Sequence, residues 1–183
     1  MTDTKVTLTI LDNTPGEGLG SEHGFSLWIE VDGKRILFDT GAGGVLRENA
    51  RKLEIDLGSA NALVLSHGHY DHTGAVDKVL SASSSIHTYC HPGATQPCYS
   101  IRNENARNIS MQPAAMAALD KVPFDRLHWV REPMLLSPNL GITGPIPRET
   151  SYEDTGGPFF LDEKGTEPDP ILDDMAIWIR TAQ

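Results

Sequence analysis

The run SHGHYDHTG places His67, His69, Asp71 and His72 in the pattern His-x-His-x-Asp-His. Three imidazoles and a carboxylate are the nitrogen and oxygen donors that Zn²⁺ and similar divalent ions take. His67 and His69 are two residues apart, so in extended backbone both side chains fall on one face and can share one cation. Asp71 and His72 follow once the chain begins to turn, and they can point to a second position. A cation held there would lower the pKa of a bound water toward ~7, making hydroxide available at neutral pH. In that scheme Asp71 is the candidate catalytic residue as well as a ligand. The competing reading is a His-rich surface loop with incidental metal affinity, and the flanking elements argue against it. Asn61-Ala62-Leu63-Val64-Leu65 reads as a short apolar strand and Thr73-Gly74 leads into a helical pattern, so a rigid strand end aims the loop.

Around this loop the chain resembles the N-terminal part of a metallo-β-lactamase-fold hydrolase, whose signature is the His-x-His-x-Asp-His loop. Ile36-Leu37-Phe38-Asp39-Thr40-Gly41 is similar to that family's strand ending in Asp-x-Gly. More narrowly, Glu22-His23-Gly24-Phe25-Ser26-Leu27 and Gly141-Ile142-Thr143-Gly144-Pro145-Ile146-Pro147-Arg148 resemble the dihydropterin ribofuranosylaminobenzene-phosphate synthase-like branch. The resemblance implies an α/β protein, an αββα sandwich with a mixed sheet and outer helices. It implies a metal-dependent hydrolase that uses hydroxide on a divalent metal against an ester or phosphoester. One or two ions, zinc first and iron or manganese as alternatives, are the implied cofactor. Asp39 would orient the metal loop, although from the residues alone it could equally be a turn residue.

The family completes its sites with later ligands, in this branch from a Gly-Cys-x-His stretch. Here the sequence stops at Trp178-Ile179-Arg180-Thr181-Ala182-Gln183, near where that stretch would begin. Two histidines and an open first site would bind a cation weakly, because a catalytic zinc has three protein ligands and water. His91 or Asp174 could serve instead, as could a partner chain. The alternative function is therefore a catalytically incomplete metal-binding remnant, or a subunit that needs a second chain. The sheet's inner apolar face would also need cover. A homodimer, a complementary C-terminal chain, or rearranged terminal strands such as Met175–Thr181 could supply it.

Composition bounds the rest. The 183 residues suffice for one domain with a core, and residues 1–183 read as a single unit. Hydrophobic residues at 39% and charged residues at 22% fit a globular chain. No apolar run approaches the ~18–20 residues needed to cross a bilayer, and the polar start shows no signal peptide, so a cytoplasmic protein is expected. A net charge of −10 argues against nucleic-acid partners and leaves a small-molecule substrate. In a reducing compartment Cys90 and Cys98 would be free thiols, and a Cys90/His91/Cys98 zinc site lacks a fourth ligand.

His91, after the strand Ser85–Tyr89, could reach the rim of the site and touch substrate, or simply cap a Pro-led turn. Arg148 could clamp a carboxylate or phosphate, or be salt-bridged. Gly41-Ala42-Gly43-Gly44 lacks the Lys-Ser/Thr of a phosphate loop, so close loop packing is its better explanation. A hairpin is predicted around Asp32-Gly33, helices over Val45–Leu53, Gly74–Leu80 and Gln112–Leu119, and a loop or short helix over Arg102–Asn108. Strands are expected at Val6–Leu11, Phe25–Val31, Lys34–Asp39, Ala62–Leu65, Arg126–Arg131, Met134–Leu136, Gly141–Thr143 and Met175–Thr181, with a long excursion over Glu149–Pro170.

Overall fold

The structure, a computed structural model, describes residues 6–10, 16–150 and 152–181. The expected strand end at Leu11 and part of the following loop lie outside them. Three strands open the fold: β1 (Val6–Ile10), β2 (Leu27–Val31) and β3 (Lys34–Phe38). They pair antiparallel, β2 and β3 through the Asp32-Gly33 turn. Both turn residues have positive φ, 52° and 70°, as a tight hairpin of right-twisted strands requires. Helix α1 (Leu46–Lys52) then crosses to β4 (Ala62–Val64), which joins β3 in parallel. After the short helix α2 (Tyr70–Thr73) and α3 (Val76–Ala82), β5 (His87–Cys90) adds to β4 in parallel. The expected helix over Gly74–Leu80 is α3, starting at Val76, and α2 precedes it across Gly74, whose Cα lies against the Ala42 backbone so closely that a Cβ would clash.

Arg102–Asn108 is a corrected expectation. It belongs to a β-hairpin of β6 (Tyr99–Arg102) and β7 (Asn105–Asn108), turning at Asn103 and Glu104, both with positive φ. Its polar composition reflects the fully exposed β7 rather than a lack of structure. Helix α4 (Pro113–Leu119) begins with Pro113 in its first turn, and β8 (Leu127–Trp129) completes a six-stranded sheet in the order β1-β2-β3-β4-β5-β8. The remaining strands are β9 (Met134–Ser137), β10 (Leu140–Pro145), β11 (Phe159–Phe160) and β12 (Met175–Ile179). β9, β10 and β12 form a second sheet, and β11 extends the β6–β7 hairpin into a third.

Alternation along the strands assigns the two faces of the large sheet. Trp28, Leu37, Leu63 and Leu65 meet Leu46 of α1, Val76 and Val79 of α3, and Ala115 and Leu119 of α4. Ile29, Val31, Ile36, Ala62 and Val64 point the other way, onto Leu140 and Ile142 of β10 and Met175 of β12. The layers are therefore helices, sheet, sheet. The inner face is covered from within the chain, by its terminal strands. Among the described residues no helix is long and apolar enough to cross a membrane.

If β10 closes this core, Leu140→Ala, at a side chain 0% exposed, should cost about 3 kcal/mol in urea denaturation. Leu135→Ala, 64% exposed on the neighbouring strand, should fall within about 0.5 kcal/mol of the parent. Equal effects of the two changes would mean that this packing is not what holds the sheets together.

Candidate metal centre

The parallel strands β3, β4 and β5 deliver Asp39, Ser66–His72 and His91 to one end of the sheet. Asp39 sits immediately after β3 with φ 59°, a left-handed conformation that Asp tolerates better than most residues. Its carboxylate is buried, and both oxygens are engaged. Oδ1 accepts the Ser66 backbone N–H at 2.7 Å, and Oδ2 accepts the Ser66 hydroxyl at 2.6 Å and pairs with His72 Nδ1 at 2.8 Å. Ser66 Oγ, having donated to Asp39, can accept from His67 Nδ1 at 2.9 Å. One carboxylate thus sets two rings, turning the Nδ1 edge of each inward. Burial pushes the Asp39 carboxyl above its ordinary value, against the bonds from His72 and Ser66 that lower it.

His67 lies in edge contact with His69, ring centroids 4.4 Å apart, and 4.2 Å from His72. Burial first, then the neighbouring His72 and His69, holds His67 well below the usual imidazole range. Burial likewise lowers His69, against Asp71. Neutral rings are the form in which imidazole accepts a cation. Asp71 Oδ2 is 3.8 Å from His72 Nε2 and 3.3 Å from Nε2 of the exposed His23, a neighbour not anticipated from the sequence.

His69 turns elsewhere. Its Nε2 is 3.2 Å from Sγ of Cys98, and the ring packs 5.0 Å from Phe159. Among the described residues the group of three donors within 4.8 Å of one another is His69, Cys98 and Asp169, rather than three from the loop itself. Spacing could not disclose this group, because β6 and the long excursion bring its members in from distant parts of the chain. Cys90 and Cys98 are both free thiols, and both are buried.

His91 lines the same cavity of about 250 Å³ as His69, Cys98, Arg131, Asp169 and Asp173. Its Nδ1 accepts the Gly93 N–H at 3.0 Å, capping the Pro-led turn. Arg148 donates to the carbonyls of Pro170 and Ile171 and pairs with Asp174 at 2.9 Å. Asp174, considered as a late ligand, is held in that pair. The Gly43 and Gly44 N–H groups donate to the Glu22 carboxylate, and a Cβ on Gly43 would strike the Gly74 carbonyl, which fits close packing.

Comparison with known proteins places this geometry in a family. The model of the metallo-beta-lactamase superfamily matches residues 19–169. The chain belongs to that superfamily. An uncharacterized protein of Methanocaldococcus jannaschii is 30% identical over 168 residues, 91% of this chain and 62% of its own length. The same organism's 7,8-dihydropterin-6-methyl-4-(beta-D-ribofuranosyl)-aminobenzene-5'-phosphate synthase is 27% identical over 173 residues, 88% of this chain and 58% of its own. The chain therefore spans about three fifths of these two relatives. Among solved structures, the metallo-β-lactamase MIM-1 of Novosphingobium pentaromativorans aligns with TM-score 0.48 at 17% identity, covering 84% of this chain and 49% of that one.

Asp173 accepts the Gly68 N–H at 2.8 Å, and burial pushes its carboxyl from 3.8 up to about 6. A carboxyl raised in the fold contributes stability that is whole below the unfolded value and is lost as pH rises through about 6. Asp173→Asn keeps an oxygen for Gly68 and never ionises. In metal-free protein it should gain roughly 2 kcal/mol at neutral pH and nothing below about pH 4 in urea melts. A gap independent of pH would rule out charge as its cause.

Proposed function

We propose that this chain carries the cation-binding part of a metal-dependent hydrolase acting on a small ester or phosphoester. The observation that carries the reading is the Asp39–Ser66 arrangement, which holds His67 and His72 by their Nδ1 atoms, with Asp71 3.8 Å from the opposite ring nitrogen of His72. The donor chemistry fits the divalent metals, often zinc, that the superfamily generally binds. His67, His69, Asp71 and His72 would hold such an ion or pair of ions, with iron or manganese as alternatives to zinc. A cation there acidifies water toward neutrality and draws electron density from a substrate's acyl or phosphoryl oxygen.

The chain's own residues supply the rest. Asp39 and Ser66 fix the rings, the His23 ring stands beside Asp71 at the exposed rim, and His91 and Arg131 line the adjoining cavity where substrate would lie. Arg148 reaches an anionic substrate only by giving up Asp174. A phosphorylated small molecule is favoured as substrate by the name of the synthase relative. A second reading, a metal-binding subunit that needs another chain to finish its site, is favoured by the three-fifths coverage of the relatives. A second copy of this chain would be the simplest such partner.

Purified protein should hold close to two equivalents of zinc and hydrolyse an aryl ester or aryl phosphodiester. His67→Ala and His72→Ala should each lose metal while remaining folded by circular dichroism. Unchanged metal content in both would refute the assignment of the loop. Firm loading without turnover of either probe would favour the subunit reading. Asp39→Ala, remote from the cation itself, should weaken zinc binding by roughly 10–100-fold in a chelator competition. Undiminished affinity would remove the positioning role of Asp39.

A further inference from the structure

Strands β3, β4, β5 and β8 pair in parallel, so their C-terminal ends open on one side of the sheet. Small ligands bind outside such ends, where the residues that follow each strand converge. Asp39 follows β3, the His67–His72 loop follows β4, and His91 follows β5. Arg131 holds the equivalent place after β8. Its neighbour Val130 is 2% exposed and donates its N–H to the Cys90 carbonyl at 2.9 Å, carrying the β5–β8 pairing one residue past the strand. Arg131 therefore leaves the sheet beside His91, on backbone that the core anchors.

Both residues line the cavity of about 250 Å³ that Gly68 and His69 of the loop also line. Burial first, and then the positive charge of Arg131, holds His91 below its ordinary value. Arg131 is the one Lys or Arg among the residues lining this cavity. Among the described residues its guanidinium has no hydrogen bond or ion pair. Arg148, by contrast, is occupied by the Pro170 and Ile171 carbonyls and by Asp174. The two carboxylates on the cavity wall are engaged as well. Asp173 accepts the Gly68 N–H at 2.8 Å, and Asp169 Oδ1 accepts the Ile171 N–H at 2.8 Å. The acids brace backbone, while Arg131 has its full set of donors to offer.

We propose that Arg131 is the specificity-determining residue of this site, gripping an oxyanion, carboxylate or phosphate, that the substrate carries apart from the bond to be cleaved. A guanidinium presents five N–H donors in a planar fork that matches two oxygens at once, and such charge-assisted pairs are roughly twice as strong as neutral ones. The cavity sets the scale. At about 250 Å³ it falls below the ~300 Å³ at which pockets for whole ligands begin, so it houses one end of a substrate whose remainder lies at the loop. Pro92, Pro97 and Leu161 give that end an apolar wall, which suits an aryl or alkyl group bearing the anion. Asp169 and Asp173 repel an anion that has no cationic partner, so discrimination falls on Arg131. The role toward substrate rests on the hydrolase reading above, but anion binding itself is measurable without turnover.

The full chain in EDTA is titrated with phenylphosphonate, benzoate and neutral benzamide, and the amide shifts of Gly68 and Gly93 report binding in the cavity. The parent should bind the anions about tenfold or more tightly than benzamide, with the margin shrinking as salt is added. Arg131→Gln should erase the preference, and Arg131→Lys, which keeps the charge without the fork, should retain part of it. Phenylphosphonate ahead of benzoate would make the recognised group a phosphate, and the reverse a carboxylate; either upholds the proposal. With zinc-loaded protein, Arg131→Gln should raise KM for the anionic ester 4-nitrophenyl hydrogen succinate about tenfold at unchanged kcat, and leave neutral 4-nitrophenyl butyrate unaffected.

No preference for the anions in the parent, or one that survives Arg131→Gln, would overturn the proposal. A preference lost in Arg148→Gln and kept in Arg131→Gln would give the role to Arg148, again against it. Turnover of neither ester, with an anion preference that Arg131→Gln removes, would uphold the anion site and count against the hydrolase reading instead.

Discussion

A carboxylate almost entirely removed from water governs the arrangement of this molecule's chemistry. Asp39 is 1% exposed, and its two oxygens take the Ser66 amide, the Ser66 hydroxyl and the His72 ring. Burying such a group is costly unless its bonding capacity is met, and here it is met from the neighbouring strand end. The same bonds register β3 against the loop that follows β4. Because Ser66 passes the constraint on to His67, one buried group fixes the orientation of two imidazoles. Metal-ligating histidines elsewhere are tuned in this way, through the nitrogen that does not face the ion.

The scaffold makes that carboxylate possible. β4 is buried on both faces, with Leu63 toward the helices and Ala62 and Val64 toward the second sheet. A strand so enclosed cannot slip in register without placing every side chain on the wrong face. The loop at its end inherits that rigidity. Gly68, whose Cα lies against the Ala94 backbone too closely for any Cβ, and Gly74, equally close to Ala42, let the loop fold down onto its neighbours. The long excursion from Glu149 also has a positional role. It carries β11, Asp169, Asp173 and Asp174 back across the sheet end, where Asp173 bonds Gly68 and Asp174 holds Arg148.

Much of this was legible in the residues. The His-x-His-x-Asp-His run announces its own chemistry, the Asp-Gly turn fixes the hairpin, and the apolar spacing of α1 and α4 marks their buried faces. The strand positions follow from local patterning for the same reason. The parts that escaped are those decided by tertiary contact. Arg102–Asn108 is polar throughout, so no alternation reveals that it pairs with β6. Cys98 and Asp169 stand far from His69 in the chain, so no spacing ties either of them to it. His91 and Arg148 are ambiguous by type, and the structure shows each with a local partner, Gly93 and Asp174, beside any role toward substrate.

The most direct test of the account is the protonation pattern of the histidine rings in the metal-free protein, read from nitrogen-15 chemical shifts with long-range proton correlation. The account requires both His67 and His72 to be neutral and to carry their proton on Nδ1, with Nε2 bare and shifting on addition of zinc. A proton on Nε2 of either ring, unmoved by zinc, would contradict it, because the buried carboxylate would then not be presenting those nitrogens to a cation.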